Sequence, residues 1–262
     1  MPSHTAPAAR PRALARASRP ARTAAAACAV VGTLLLTGCS LTAHTMKTAS
    51  ADATVPEAVT AVEITGARHG SIEVTPGSGP GVTVHRTVHY RGDTAPRPEQ
   101  HVSGGLLTFD TGCTGSCYVD YRLEVPASAT VKLESSSGRV TVTGVAAADV
   151  ETSSGDVKVD RIAGALKART SSGDITGSAL AGPGADIRSA SGDARLTFAT
   201  SPNSVAAETG SGNVTLTVPS APYRVDVSTT SGDRRVALPT DPSADARLAV
   251  RTTSGDVSVS AA

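Results

Sequence analysis

Residues 152–157 read TSSGDV, and the phrase returns along the chain as SSSGRV from 135, TSSGDI from 170, SASGDA from 189, TGSGNV from 209, TTSGDR from 229 and TTSGDV from 252. A catalytic centre is needed once, so a phrase used seven times describes architecture first. Its glycines are Gly138, Gly155, Gly173, Gly192, Gly212, Gly232 and Gly255, at separations of 17, 18, 19, 20, 20 and 23 residues. A serine precedes every one of them, and Ser or Thr stands three places before.

Five places before each glycine the residue is always apolar: Leu133, Val150, Ala168, Ile187, Ala207, Val227 and Val250. Seven places before it is apolar again: Val131, Ala148, Leu166, Ala185, Val205, Val225 and Leu248. Between the two stand Lys132, Asp149, Lys167, Asp186, Ala206, Asp226 and Ala249. This is the two-residue period of a strand with one buried face. After the corner the apolar alternation resumes, as in Val140/Val142, Val157/Val159 and Val214/Leu216, while Ile175/Gly177 and Arg234/Val236 are imperfect. Each unit therefore reads as strand, Ser-Gly-Asp corner, strand and connection. The connections hold 5, 6, 7, 8, 8 and 11 residues, so all the length drift falls at one edge, as in a solenoid with insertions.

Energetics favour stacking. A unit offers about four inward side chains, each worth about 1.5–3 kcal/mol when fully buried. Ordering its residues costs about 1–2 kcal/mol apiece, so a lone unit cannot stand. The expected fold is all-β: a parallel β-helix with rungs of about 17–23 residues over 131–262. Upstream, AVEI (61–64), SIEV (71–74), VTVHRTVHY (82–90), LLTF (106–109) and VDYRLEV (119–125) read as strands with irregular spacing. Residues 59–130 are accordingly expected to be an N-terminal β cap or degenerate rungs. Only 2% of residues are aromatic, with two Phe and no Trp, which suits a narrow interior.

The first 38 residues read as a lipoprotein signal peptide. Arg10, Arg12, Arg16, Arg19 and Arg22 precede an apolar run too short for a comfortable membrane span, and the run ends in Leu36-Thr37-Gly38-Cys39. That ending resembles a bacterial lipobox, with cleavage between Gly38 and Cys39 and lipidation at Cys39. The chain is then expected outside the cytoplasm, held to the cell membrane by lipid, with 39–58 as a flexible tether. Removing 1–38 takes five of the 24 Lys and Arg and none of the 23 Asp and Glu, leaving a net charge of −4. A mildly acidic chain carries no electrostatic footprint for nucleic acid. Cys113 and Cys117, in CTGSC, are expected to form a disulfide in an exported protein, worth about 2 kcal/mol for so short a loop.

The corner phrase, together with CYVDYRLEVPASATVKLESSSGRVTVTG at 117–144, resembles the "putative adhesin" domain of unknown function, a family of bacterial envelope β-solenoids. The resemblance covers about 60–260. It implies a surface-exposed β-helix and supplies no catalytic residues to transfer.

The candidate chemistry is sparse. Asp156, Asp174, Asp193, Asp233 and Asp256 follow the corner glycines, with Arg139 and Asn213 in the other two units. Stacked carboxylates repel by about 1 kcal/mol in water, which calcium could relieve, but the glycine-rich short repeats of calcium solenoids are absent. The reading preferred is that each Asp accepts from turn amides at a wet corner. Four places before the glycines, Glu134, Glu151, Arg169, Arg188, Glu208, Ser228 and Arg251 form a solvated column, with Glu-over-Arg contacts expected at 151/169 and 188/208. Arg91-Gly92-Asp93 reads as a turn. His85 and His89 lie about 13 Å apart in a strand, too far to share a metal, and are expected to be exposed.

No catalytic residue, metal or cofactor is expected. The function read from sequence is a non-catalytic adhesin-like or structural scaffold that meets an envelope polymer, another protein or a copy of itself. The alternatives are an envelope-stress regulatory module and, less favoured, a polysaccharide-lyase-like enzyme.

Overall fold

The corner reverses the chain once per unit and the connection reverses it again, so alternate strands fall on opposite sides of a thin core. The computed structural model describes residues 45–110, 112–113 and 115–262, and these contain 21 strands and no helix. The lipobox and signal-peptide residues, Gly38 and Cys39 among them, lie outside the described residues. The first seven strands are β1 (Lys47–Val55), β2 (Ala61–Ala67), β3 (Ile72–Gly77), β4 (Val82–Tyr90), β5 (Gln100–Ser103), β6 (Leu106–Phe109) and β7 (Tyr118–Pro126). The regular rungs follow in pairs: β8 (Thr130–Ser135) with β9 (Val140–Thr143), β10 (Ala147–Thr152) with β11 (Val157–Asp160), β12 (Leu166–Ser172) with β13 (Ile175–Leu180), and β14 (Gly184–Ser191) with β15 (Ala194–Phe198). The last three are β16 (Ser204–Ser211) with β17 (Val214–Val218), β18 (Arg224–Ser231) with β19 (Arg234–Ala237), and β20 (Arg247–Ser254) with β21 (Val257–Ala261).

The fold is the all-β, largely parallel solenoid that the repeat implies. The strand before each corner joins a 10-stranded sheet and the strand after it an 11-stranded sheet. Val150 pairs in register with Ala168, Ala168 with Ile187, and Ile187 with Ala207, so the inward residues form columns. Large and small residues complement one another within a rung: Leu166 sits beside Ala168, Ala185 beside Ile187, and Val205 beside Ala207, all buried. This keeps the core volume of each storey nearly constant, as dense packing requires. Where Gly177 leaves an inward position empty, Leu196 and Leu180 fill it.

The corner phrase now has its reason. The Cα of each corner glycine lies against the carbonyl oxygen of the glycine one rung away, so that a Cβ on Gly155, Gly173, Gly192, Gly212, Gly255 or Gly232 would overlap that oxygen. Gly192, Gly212, Gly232 and Gly255 also have φ between 139° and 152°, which L side chains disfavour. The buried polar side chains of the described residues all come from the position three before: Ser135, Thr152, Thr170, Ser189, Thr209 and Thr252. In the first two rungs the hydroxyl oxygen accepts from its own glycine N–H, at 3.2 Å for Ser135 and 3.0 Å for Thr152. Thr209, Thr252 and Thr229 instead donate to the glycine carbonyl of the adjoining rung at 2.9–3.0 Å. The N–H groups of Gly173, Gly192, Gly212 and Gly255 go to a serine carbonyl next door, as Gly192 N to Ser211 O at 2.9 Å.

The rungs do not stack in chain order at the two ends. β20 lies between β16 and β18, and β21 between β17 and β19, so the final unit is inserted beneath the one that precedes it. At the other end β2 and β3 lie between β8–β9 and the rung made by β6 and β7. β2 and β3 flank an eighth corner, Gly70, whose Cα abuts the Val119 carbonyl and whose own carbonyl abuts Gly138. A bulge between Ile64 and Ala67, with Gly66 at φ 73°, adds one residue there and breaks the spacing. Beyond β7, β4 and β1 continue the sheet antiparallel, and β5 does the same beside β6. Over 47–55 the expected tether is corrected, since Lys47–Val55 pairs with β4 along its whole length and buries Val55. Its alternation of small Ala and polar residues hid a strand that has one neighbour and little to bury.

Replacing Gly173 or Gly192 by Ala is expected to destabilise the fold by about 3 kcal/mol or more, through overlap and, at 192, backbone strain. Ser172→Ala, one place away at an exposed position, should cost under about 1 kcal/mol. Urea unfolding of the three variants measures the contrast.

Candidate binding surface

The acidic column expected at the corners is a ladder joining the rungs. Asp174 N donates to Asp156 Oδ1 at 3.2 Å, Asp193 N to Asp174 Oδ1 at 2.9 Å and Asn213 N to Asp193 Oδ1 at 2.8 Å. Asp256 N donates to Asn213 Oδ1 and Asp233 N to Asp256 Oδ1, both at 2.9 Å. Each side chain thus caps the amide of the next storey, and an Asn serves because its carbonyl oxygen presents the same acceptor. Asp120 repeats the device at the cap, accepting from Ser71 N at 2.7 Å. Repulsion along the column is relieved by guanidinium groups: Arg139 lies 3.5 Å from Asp156, and Arg195 lies 2.5 Å from Asp193 and 4.0 Å from Asp174. Among the described residues no group of three or more His, Cys, Asp or Glu side chains is arranged to hold a metal ion.

The cap fixes the remaining candidates. Cys113 and Cys117 are joined by a disulfide, with Cα atoms 5.6 Å apart, in the loop between β6 and β7. His85 Nδ1 pairs with Asp52 at 2.8 Å and is exposed. His89 differs from expectation: it stacks on Tyr118 at 4.4 Å, pairs with Asp120 at 2.8 Å and is mostly covered. Asp93 of the Arg-Gly-Asp turn pairs with Lys47 at 3.1 Å. The Arg86 guanidinium donates to the Pro98 carbonyl and, at 2.9 Å, to Gln100 Oε1, pinning the loop that crosses from β4 to β5. Tyr121, packed edge-on to Phe109 at 5.2 Å, has its phenol pushed up to about 12 by burial, against the opposing pull of Arg86.

The outer face of the 10-stranded sheet carries the most distinctive surface. The residues between the two apolar columns stack as Glu63, Lys132, Asp149, Lys167 and Asp186, alternating in sign across five successive strands. Glu63 bonds Lys132 at 2.7 Å and Asp149 bonds Lys167 at 2.9 Å. The expected contacts 151/169 and 188/208 are corrected. Those residues are register neighbours, but Arg169 and Arg188 both turn to Asp186 at 3.3 Å. Exposed pairs of this kind add little to stability.

Beside the ladder runs a column of small residues, Ala61, Thr130, Ala147, Ala165, Gly184 and Ser204, which ends in Arg247 and Arg224. The small residues and the charged ladder line a groove of about 800 Å³, walled by Pro183 and Arg188, that crosses six strands from Ala61 to Ser204 and stops short of the two arginines. At rung spacing that is about 24 Å.

The Toastrack DUF4097 family model matches residues 100–260. The chain belongs to the Toastrack DUF4097 family. Its solved likenesses include a "putative adhesin" from Bacteroides fragilis NCTC 9343, with TM-score 0.51 and 13% identity over 84% of this chain and 99% of that one. Another is a "putative adhesin" from Parabacteroides distasonis ATCC 8503, with TM-score 0.39 and 15% identity over 81% and 97%. At 13% identity the Bacteroides fragilis likeness carries the fold alone. No curated protein matches the sequence. For this Toastrack chain the match also accounts for the upstream rung: it begins at β5, includes the β6–β7 rung and leaves β1 to β4 outside.

Asp174→Asn should unfold within about 0.5 kcal/mol of wild type, because the amide oxygen replaces the carboxylate, whereas Asp174→Ala should lose about 1 kcal/mol. Unfolding midpoints compare the two. For Tyr121 the folded-state pKa lies above the unfolded one, so its contribution is full below pH 10 and is lost as pH rises from about 10 to 12. That loss is on the order of 2 kcal/mol, and the difference in stability between wild type and Tyr121→Phe across this window measures it.

Proposed function

We propose that this Toastrack protein is an exported, lipid-anchored, non-catalytic scaffold whose groove on the 10-stranded sheet holds an extended envelope polymer. One observation carries the reading. A groove about 24 Å long, floored by small residues, runs beside charges that alternate at rung spacing. A surface of this kind offers a donor or an acceptor at every storey to a chain laid across the strands, while the small floor lets its backbone approach closely. With so few aromatic residues, recognition rests on hydrogen bonds and charge rather than on ring stacking. The fold supports a binding role because its rigidity comes from inter-rung bonds that leave the outer faces unused. The lipobox at Gly38-Cys39 supports the address, and the mildly acidic remainder leaves anchoring to the lipid.

The experiment compares retention on purified cell-wall polymer. Lys132→Gln with Lys167→Gln should reduce retention at least about tenfold while moving the melting temperature by only a few degrees, whereas Lys158→Glu on the opposite face should leave retention unchanged. Equal retention of all three proteins would discard the groove as the recognition face. Cys39→Ala should move the protein from the membrane fraction to the medium and abolish palmitate labelling.

A further inference from the structure

The two ends of the solenoid are finished differently. One is continued by β4, β1 and β5 and closed around Phe109 and Tyr121. The other stops at β18 and β19, each of which has a single strand neighbour. The inward columns run out into solvent there: Val225 and Val227 are only partly buried, and Val236 is 41% exposed. With Tyr223, Arg234, Thr240 and Pro242 they line a cavity of about 510 Å³ at the mouth of the core. Thr240 bridges to Tyr223 just before β18, and the Arg234 guanidinium donates to the Val227 carbonyl at 3.5 Å, but no second strand pairs along Val225–Ser231. Two bare, partly apolar sheet edges are a template for further strands unless something covers them.

We propose that this end is covered by the same end of a second copy. A single peptide strand could satisfy one edge and leave the other bare. A second copy presents two edges at the same separation, so both are paired at once. β18 and β19 run in opposite senses around the rung, so a twofold axis along the strands lays β18 of each copy antiparallel to β19 of the other, while a twofold axis normal to the sheets pairs like with like. Charge decides between them. The open part of β18 carries Asp226, whose carboxylate Arg247 and Arg251 of β20 already flank at 3.5 and 3.1 Å, and β19 carries Arg234 and Arg235. The first arrangement brings acid to base across both seams, whereas the second sets arginines beside arginines. The contact is isologous and closes as a dimer, which stops strand addition after one event. It is independent of the recognition groove.

Sedimentation velocity of the full-length protein in detergent tests this. Wild type should sediment as a dimer. Asp226→Lys alone and Arg235→Glu alone should each weaken association at least about tenfold while melting cooperatively. An equimolar mixture of the two variants should restore the dimer, because the lysine introduced on β18 of one copy then meets the glutamate introduced on β19 of the other, and the remaining seam keeps its native pair. A monomeric wild type at every attainable concentration overturns the proposal, as do single variants that dimerise like wild type. A mixture that stays monomeric overturns the β18-to-β19 pairing.

Discussion

The contact on which the whole stack depends is the approach of one glycine Cα to the carbonyl oxygen of the glycine in the next storey. A side chain at either position would hold neighbouring corners apart. The hydroxyl three places earlier, in rungs such as those of Thr209, Thr229 and Thr252, and the Asp or Asn one place later both need that closeness, since each reaches a backbone group of an adjoining rung. The Ser or Thr three places before, the Gly and the Asp or Asn after it recur together for this reason: they are three parts of a single joint.

That joint fixes the strand separation on both sides of it and so sets the packing of the core. Columns of small and medium apolar residues follow, with Leu166 offsetting Ala168 and Ile187 offsetting Ala185. It also leaves the outer faces free of structural duty. The alternating ladder from Glu63 to Asp186 stabilises little where it lies in solvent, and its regularity is inherited from the rung spacing rather than required by it.

The regular rungs were legible because their inward positions obey a period of two around an invariant glycine. The first rung was not, although Gly70 occupies the corner, because the extra residue at Gly66 shifts every inward position by one and places Thr65 where an apolar residue is sought. β1 was hidden by its composition of Ala, Thr and Ser, which reads equally as tether. The alternating charges stood in plain view as Lys132, Asp149, Lys167 and Asp186, but their meaning depends on register, which only neighbouring strands define. The exchange of the last two units had one trace in the sequence: the connection before the final unit holds 11 residues, the longest of the series, and it has to travel back past a storey.

That exchange bears on how the protein is made. A chain threaded outward from its N-terminus delivers β18 and β19 before the storey on which they rest, so the pair has no floor until β20 and β21 emerge. Completion is then a keystone event, governed by the arrival of the last residues. A product truncated before Arg247 would lack that inner storey and would also strand the outer one already delivered.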